Sequence, residues 1–214
     1  MNDRNIKFYE NIPIDQLKIL SLKGGFSSYI DLETISTYIQ PQHTVLEIGA
    51  AYGRCLDYFI HHQHKGKIFA LEKSYPFIEF LKKQYVHHTN IEVIHADILQ
   101  SPLPVGIDTA LWMWSGIVDF SKEEQMMACK RISQVLNYGG QLFIDIPRIG
   151  FQTIAKHNDE QHLHLKTQYG DIIAFIPSVQ DIKTIQKDSH FSILHIINYE
   201  TSTQKQRTIY RLVK

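Results

Sequence analysis

The stretch HTVLEIGAAYGR, His43 to Arg54, decides the reading of this chain. Val45, Leu46 and Ile48 make a short apolar run of the kind buried in a sheet. Gly49 and Gly53 follow at a spacing that turns a strand into a helix. Helix starts favour anionic ligands, because their first N–H groups lack intrahelical partners. The dinucleotide version of such a turn is G-x-G-x-x-G. Here Gly49 fits it, but Ala51 and Arg54 occupy the two later glycine positions. Glu47, two residues before the first glycine, would also repel a pyrophosphate and attract an ammonium. The residues therefore call for a ligand carrying both an ammonium and a carboxylate. Gly49 lets it approach the backbone closely, and Gly53 lets the chain enter the helix without a clash. Ala51 is expected at negative φ, where a methyl group costs little. Arg54 reads either as a partner for the ligand's carboxylate or as a solvated helix residue.

Four further β-rich runs lie downstream: KIFALE (67–72), IEVIHAD (91–97), IDTALWMW (107–114) and GQLFIDIP (140–147). Helical stretches separate them: GRCLDYFIHH, YPFIEFLKKQY and SKEEQMMACKRISQVL. The last opens with a capping box, Ser121 followed by Glu124. Pro102 and Pro104 predict a loop between the third and fourth strands. Strands alternating with helices imply right-handed crossovers and a parallel sheet covered on both faces. Upstream, Ile14 to Gln40 reads as two helices parted at Gly24-Gly25, with Asp31 placed to cap the second. After Pro147, His162 to Pro177 reads as a hairpin around Gly170, followed by a helix capped by Ser178. FSILHIINYE and QRTIYRLVK, joined by the polar TSTQK, must pair antiparallel. The predicted fold is α/β and doubly wound, with a mostly parallel seven-stranded sheet ending in an antiparallel hairpin. An N-terminal helical cover spans 1–42, and an inserted hairpin over 148–177 would serve as a lid, a dimer contact or both. All of this belongs to one domain, 1–214.

The 214 residues are 43% hydrophobic, enough for a substantial core. Lys+Arg and Asp+Glu balance at 22 each, so no basic field draws in nucleic acid. Cys55 and Cys129 form no CxxC, which suits a reducing cytoplasm and disfavours a zinc knuckle. The first ten residues lack the apolar core of a signal peptide, and no apolar run reaches the ~18 residues of a membrane span. The 12 histidines show no metal-ligand spacing. His162 and His164 share one strand face and are candidate general bases or plain surface residues.

VLEIGAAYGR resembles the first motif of class I S-adenosylmethionine-dependent methyltransferases, acid-x-Gly-x-Gly-x-Gly. Glu47, Gly49 and Gly53 match, and Ala51 replaces the middle glycine. The resemblance runs in order from about Thr44 to Pro147. Asp108 opens the fourth strand, and LNYGGQLFIDIP is similar to the family's Leu-x-Pro-Gly-Gly turn and fifth strand, with Tyr138 in place of proline. WMWSGIVDFSKEEQ is most similar to the small-molecule branch. The resemblance implies S-adenosylmethionine as cofactor. Its methionine end would lie on Glu47, Gly49, Ala51 and Gly53. Glu72 would accept its ribose hydroxyls, Asp97 its adenine amino group, and Ile98 would pack on the ring. Trp112 would face the cofactor or the acceptor. Tyr9 and Tyr29 are similar to aromatic residues of N-terminal segments that cover the cofactor, or else are core tyrosines. The implied reaction is methyl transfer to oxygen, nitrogen or sulfur of a small molecule, with no catalytic residue singled out. A homo-oligomer is compatible with this, and no membrane or nucleic-acid partner is implied. The alternatives are a protein or RNA acceptor, or a binding module without catalysis.

Overall fold

Short β-rich runs, the central ones buried on both faces, form the main sheet of the computed structural model, which describes residues 3–148, 156–157 and 161–214. Its parallel strands are β1 (Val45–Ile48), β2 (Ile68–Glu72), β3 (Ile91–His95), β4 (Ile107–Trp112) and β5 (Leu136–Pro147). Two more, β9 (Ile193–Glu200) and β10 (Gln206–Val213), complete the order β3-β2-β1-β4-β5-β10-β9, with β10 antiparallel to both neighbours. Leu46, Ala110 and Leu142 face one core, while Val45, Leu111 and Phe143 face the other. This period of two covers both faces with α4 (Arg54–His61), α5 (Tyr75–Gln84) and α6 (Lys122–Val135). Ser121 and Glu124 form the expected capping box of α6. Strand order reverses between β1 and β4, the place where open α/β sheets bind ligands. As expected from the prolines, no helix joins β3 to β4.

The N-terminal cover comprises α1 (Asp3–Asn11), α2 (Ile14–Gly24) and α3 (Ile30–Ile35). The sequence reading assigned no helix before Ile14, so α1 is an addition. The inserted piece holds β7 (His162–Thr167) and β8 (Gly170–Phe175), paired as a hairpin, with the short β6 (Lys156–His157) beside β7. Residues 149–155 and 158–160 of the expected 148–177 insertion lie outside the described residues. Ser178 and Asp181 box the start of α7 (Val179–Asp188). Among the described residues, no helix is long and apolar enough to cross a membrane.

Asp31 does not cap α3. The N-cap is Tyr29, and Asp31 is completely buried against Arg54. Both terminal nitrogens of Arg54 donate to Asp31, one at 2.8 Å to Oδ1. Arg54 is therefore neither solvated nor free for a ligand: a guanidinium enclosed this way must keep a fixed counter-charge. Its neighbour Phe26 lies between two guanidiniums, with the Arg54 and Arg207 carbons 5.3 and 4.9 Å from its ring centre. Arg207 is itself buried and paired with Asp145, to which Tyr199 also donates. The Arg54–Asp31 pair thus fastens the cover to α4, and Phe26 against Arg207 fastens it to the sheet.

In the turn from β1 to α4, Gly49 and Ala50 both donate to the Leu71 carbonyl, at 2.9 and 3.0 Å. Gly53 has φ +85°, and a Cβ there would lie 2.2 Å from Tyr85 Oη. Ala51 departs from expectation: its φ is +49°, in the left-handed region. The cause is a tether, since the Ala51 N–H donates at 2.8 Å to Glu72 Oε2 and the turn must bend to reach it.

Two changes test this scaffold. Asp31→Ala leaves the Arg54 guanidinium buried and unpaired and is expected to lower unfolding stability by about 3–5 kcal/mol in urea titrations. Ala51→Gly relieves the left-handed strain and is expected to raise stability by about 1 kcal/mol in the same assay.

Candidate active site

The C-terminal ends of β1, β2 and β4, together with α1, α2 and β8, enclose a cavity of about 310 Å³. Seven of the eight residues singled out from the sequence line it: Glu47, Gly49, Ala51, Glu72, Asp97, Ile98 and Trp112. Gly53 does not; it faces Tyr85 and serves the turn. Gly49 has φ +72°, and a Cβ added to it would meet nothing within 4 Å. That open face leaves room for a ligand against the backbone.

Glu47 is only 5% exposed. The Cys55 thiol donates to its carboxylate, yet Oε2 has no hydrogen-bond partner among the described residues. Burial raises its pKa to about 7, against smaller opposing effects of Cys55 and Arg54. An orphaned, buried acceptor on a cavity wall is expensive unless a donor reaches it. An ammonium group meets that need, so the residues present fit the tail of the cofactor that the resemblance implies.

Glu72 has a role that the sequence reading did not foresee. It accepts the backbone N–H groups of Ala51, Lys73 and Ser74 at 2.8, 2.7 and 2.7 Å, fastening the turn to the end of β2. Burial nevertheless raises its pKa, the three N–H groups offsetting part of the effect. One acceptor site on Oε2 remains. Asp97 accepts from Lys73 Nζ on Oδ2 at 2.7 Å and from the Leu99 N–H on Oδ1 at 2.9 Å. Partial burial opposes its ionisation, but the Lys73 ammonium and that N–H outweigh it and hold the pKa down. Ile98 is buried between core and cavity. Trp112, 1% exposed, packs edge-on against Phe120.

Past β4 the backbone is strained: Trp114 and Ser115 have φ +47° and +66°. Arg207 Nη2 holds Ser115 Oγ at 2.6 Å, and both Trp114 and Ser115 line the cavity. Backbone strain of this kind collects at functional sites. Asp119 follows, buried on the cavity wall and unremarked in the sequence reading. Tyr9 Oη donates to its Oδ2 at 2.7 Å and Asn5 Nδ2 to its Oδ1 at 2.9 Å. Burial raises its pKa to about 6, although both hydrogen bonds pull the other way. The Asn5 side-chain amide also donates to the Ile173 carbonyl of β8 at 2.8 Å and accepts its N–H at 2.9 Å, so α1, the hairpin and Asp119 meet at one amide. Tyr9 thus belongs to the cavity, whereas Tyr29 packs against Tyr58 outside it. Neither His162 nor His164 lines the cavity; His164 pairs with Asp171 at 2.8 Å. Among the described residues, no three His, Cys, Asp or Glu side chains are grouped to hold a metal ion.

Residues 45–140 match the family model described as methyltransferase domain. Two curated relatives, rRNA adenine N-6-methyltransferases of Bacillus licheniformis and Bacillus anthracis, are each 36% identical over 61 residues. That stretch is 28% of this chain and only 21% of the length of either relative. Among solved structures, an S-adenosylmethionine-dependent methyltransferase of Methanosarcina mazei aligns with a TM-score of 0.67 at 14% identity, over 84% of this chain and 96% of its own. The glycopeptide N-methyltransferase MtfA, complexed with S-adenosyl-L-homocysteine, gives 0.68 at 11% identity, over 86% of each chain. The 1,6-didemethyltoxoflavin-N1-methyltransferase of Burkholderia thailandensis gives 0.62 at 13%, over 93% of this chain and 86% of its own. At these identities the structures speak for the fold. With the sheet order and the glycine turn, they show that this chain has the fold of the class I S-adenosylmethionine-dependent methyltransferases, and residues 45–140 are similar to the methyltransferase domain.

Proposed function

We propose that this protein transfers a methyl group from S-adenosylmethionine to a nucleophilic oxygen, nitrogen or sulfur of a small molecule. The observation that carries the reading is the unpartnered oxygen of Glu47 beside the open face of Gly49. In this proposal Glu47 receives the ammonium of the methionine tail, and the backbone at Gly49 and Ala51 runs alongside it. Gly53 sets the turn from behind. Glu72 offers its remaining acceptor site to a ribose hydroxyl, Asp97 faces the adenine edge, and Ile98 and Trp112 supply apolar contact. When bound, the cofactor supplies a methyl group on a cationic sulfur that is an excellent leaving group. The chain's part is then chiefly alignment and exclusion of water, and alignment is worth up to about 7–11 kcal/mol. The aromatic faces of Trp112, Trp114 and Phe120 suit a site that must hold positive charge.

Two features support a small acceptor. The cover and the hairpin close over the cavity, and about 310 Å³ lies at the small end of ligand pockets. The balanced charge offers no field for a polyanion. The similarity to rRNA methyltransferases favours a second reading, an RNA acceptor, but it extends over only 61 residues. RNA binding would reveal itself as an affinity that falls steeply with salt. A cytoplasmic setting accords with the two free, buried cysteines.

Calorimetry with S-adenosylhomocysteine tests the reading. Glu47→Gln is expected to weaken binding by about 1.5–3 kcal/mol, the worth of a charge-assisted hydrogen bond. The pH dependence has a definite sign. Glu47 must be ionised to hold an ammonium and titrates near 7, so wild-type affinity falls with pH and is about tenfold weaker at pH 6 than at pH 8. Unliganded stability runs the opposite way. Between about pH 4.5 and 7 the folded protein keeps a proton that the unfolded chain has lost, so stability declines as pH rises through that window. The Gln variant should lose the pH dependence of affinity and the Glu47 share of that of stability, while the burial-raised Asp119 and Glu72 keep theirs; a wild type that binds no S-adenosylhomocysteine would overturn the proposal.

A further inference from the structure

The cofactor's methionine tail carries a carboxylate as well as an ammonium, and the sequence reading offered Arg54 for it. Arg54 is committed to Asp31, and Lys73, the other cation among the described residues lining the cavity, to Asp97. The carboxylate therefore needs a different donor.

The turn after β4 supplies one. Ser115 lines the cavity, and its Oγ accepts from Arg207 Nη2 at 2.6 Å. A hydroxyl that accepts still has its own proton to give, and Ser115 gives it to no described residue. The guanidinium draws electron density from the oxygen and strengthens that O–H as a donor. Arg207 does not itself line the cavity; Asp145 holds it by Nε and Nη2.

Position agrees with this role. The Ser115 N–H donates to the Asp145 carbonyl of β5 at 2.9 Å, on the side of β1 away from β2 and β3, whose ends carry Glu72 and Asp97. Gly116, the next residue, comes up to the end of β1: a Cβ there would stand 4.0 Å from the carbonyl of Ile48, the residue between Glu47 and Gly49. One cavity thus offers an acceptor without a donor at Glu47 and, on the turn beside it, a donor without an acceptor at Ser115, both among the described residues. An amino-acid tail, with ammonium and carboxylate on one carbon, complements the two.

We infer that the Ser115 hydroxyl, polarised by Arg207, binds the carboxylate of the cofactor's methionine tail. The inference rests on the cofactor reading above and adds to it the second charged end of the tail.

The test compares two ligands by calorimetry, S-adenosylhomocysteine and its decarboxylated analogue, which keeps the ammonium and lacks only the carboxylate. The wild type is expected to bind S-adenosylhomocysteine more tightly by about tenfold or more, the scale of a hydrogen bond to a charged group. Ser115→Ala is expected to remove that preference, weakening S-adenosylhomocysteine about tenfold and leaving the analogue's affinity unchanged. Ser115→Gly also lacks the hydroxyl but suits the left-handed backbone at φ +66°, so the same result there separates loss of the hydroxyl from distortion of the turn. Equal weakening of both ligands would make Ser115 a purely structural residue and overturn the inference. A preference that survives in both variants would also overturn it, and would move the carboxylate to another donor such as the backbone N–H groups that open α4. A wild type with no preference between the ligands would do so without any variant. Failure of the wild type to bind S-adenosylhomocysteine would instead remove the cofactor reading beneath it.

Discussion

A carboxylate buried at the mouth of a parallel strand sets the terms for everything around it. Glu47 is flanked in register by Ala70 and Leu111, neither of which can donate a side-chain hydrogen bond. The low-dielectric surroundings resist its ionisation, and the Cys55 thiol relieves only part of its acceptor capacity. A fold that keeps such a group in such a place holds unsatisfied acceptor capacity ready for a donor. The open face of Gly49 lies on the same cavity.

A second carboxylate makes that arrangement rigid. By taking three backbone N–H groups, Glu72 fixes the turn after β1 to the end of β2 and pulls Ala51 into the left-handed region. The family motif has glycine at this position, where the same backbone would carry less strain. The hydrogen bond to a charged acceptor offsets the strain of the alanine.

The roof of the cavity is tied to its floor by buried charge. Arg54, in the first turn of α4, holds Asp31 of α3, while Arg207 of β10 holds Asp145 of β5 and reaches Ser115 at the strained turn after β4. Phe26 between the two guanidiniums couples both pairs to the cover. Asn5 completes the enclosure by bridging β8 and Asp119. Cavity walls therefore come from segments more than 150 residues apart, and displacement of the cover would alter the wall at Asp119 directly.

Much of this was legible in local patterning. The short apolar β-rich runs, the capping signals at Ser121 and Ser178 and the turn at Gly170 report interactions within a few residues, and those survive in any context that folds. The glycine turn and the acids closing β2 and β3 were legible because strand ends in a doubly wound sheet converge on one edge. What could not be read depended on partners distant in sequence. Asp31 looked like a cap because its match, Arg54, is 23 positions away. The φ of Ala51 depended on Glu72, and α1 is held by Asn5 contacts with Asp119 and Ile173. Asp119 carries no signal of its own in the sequence; only packing of the cover made it a buried wall of the cavity. Local sequence specified the elements and their order because backbone geometry and hydrophobic period act over a few residues. The assembled chain alone established which charges would be paired, because burial removes water as the alternative partner and that removal is a property of the whole fold.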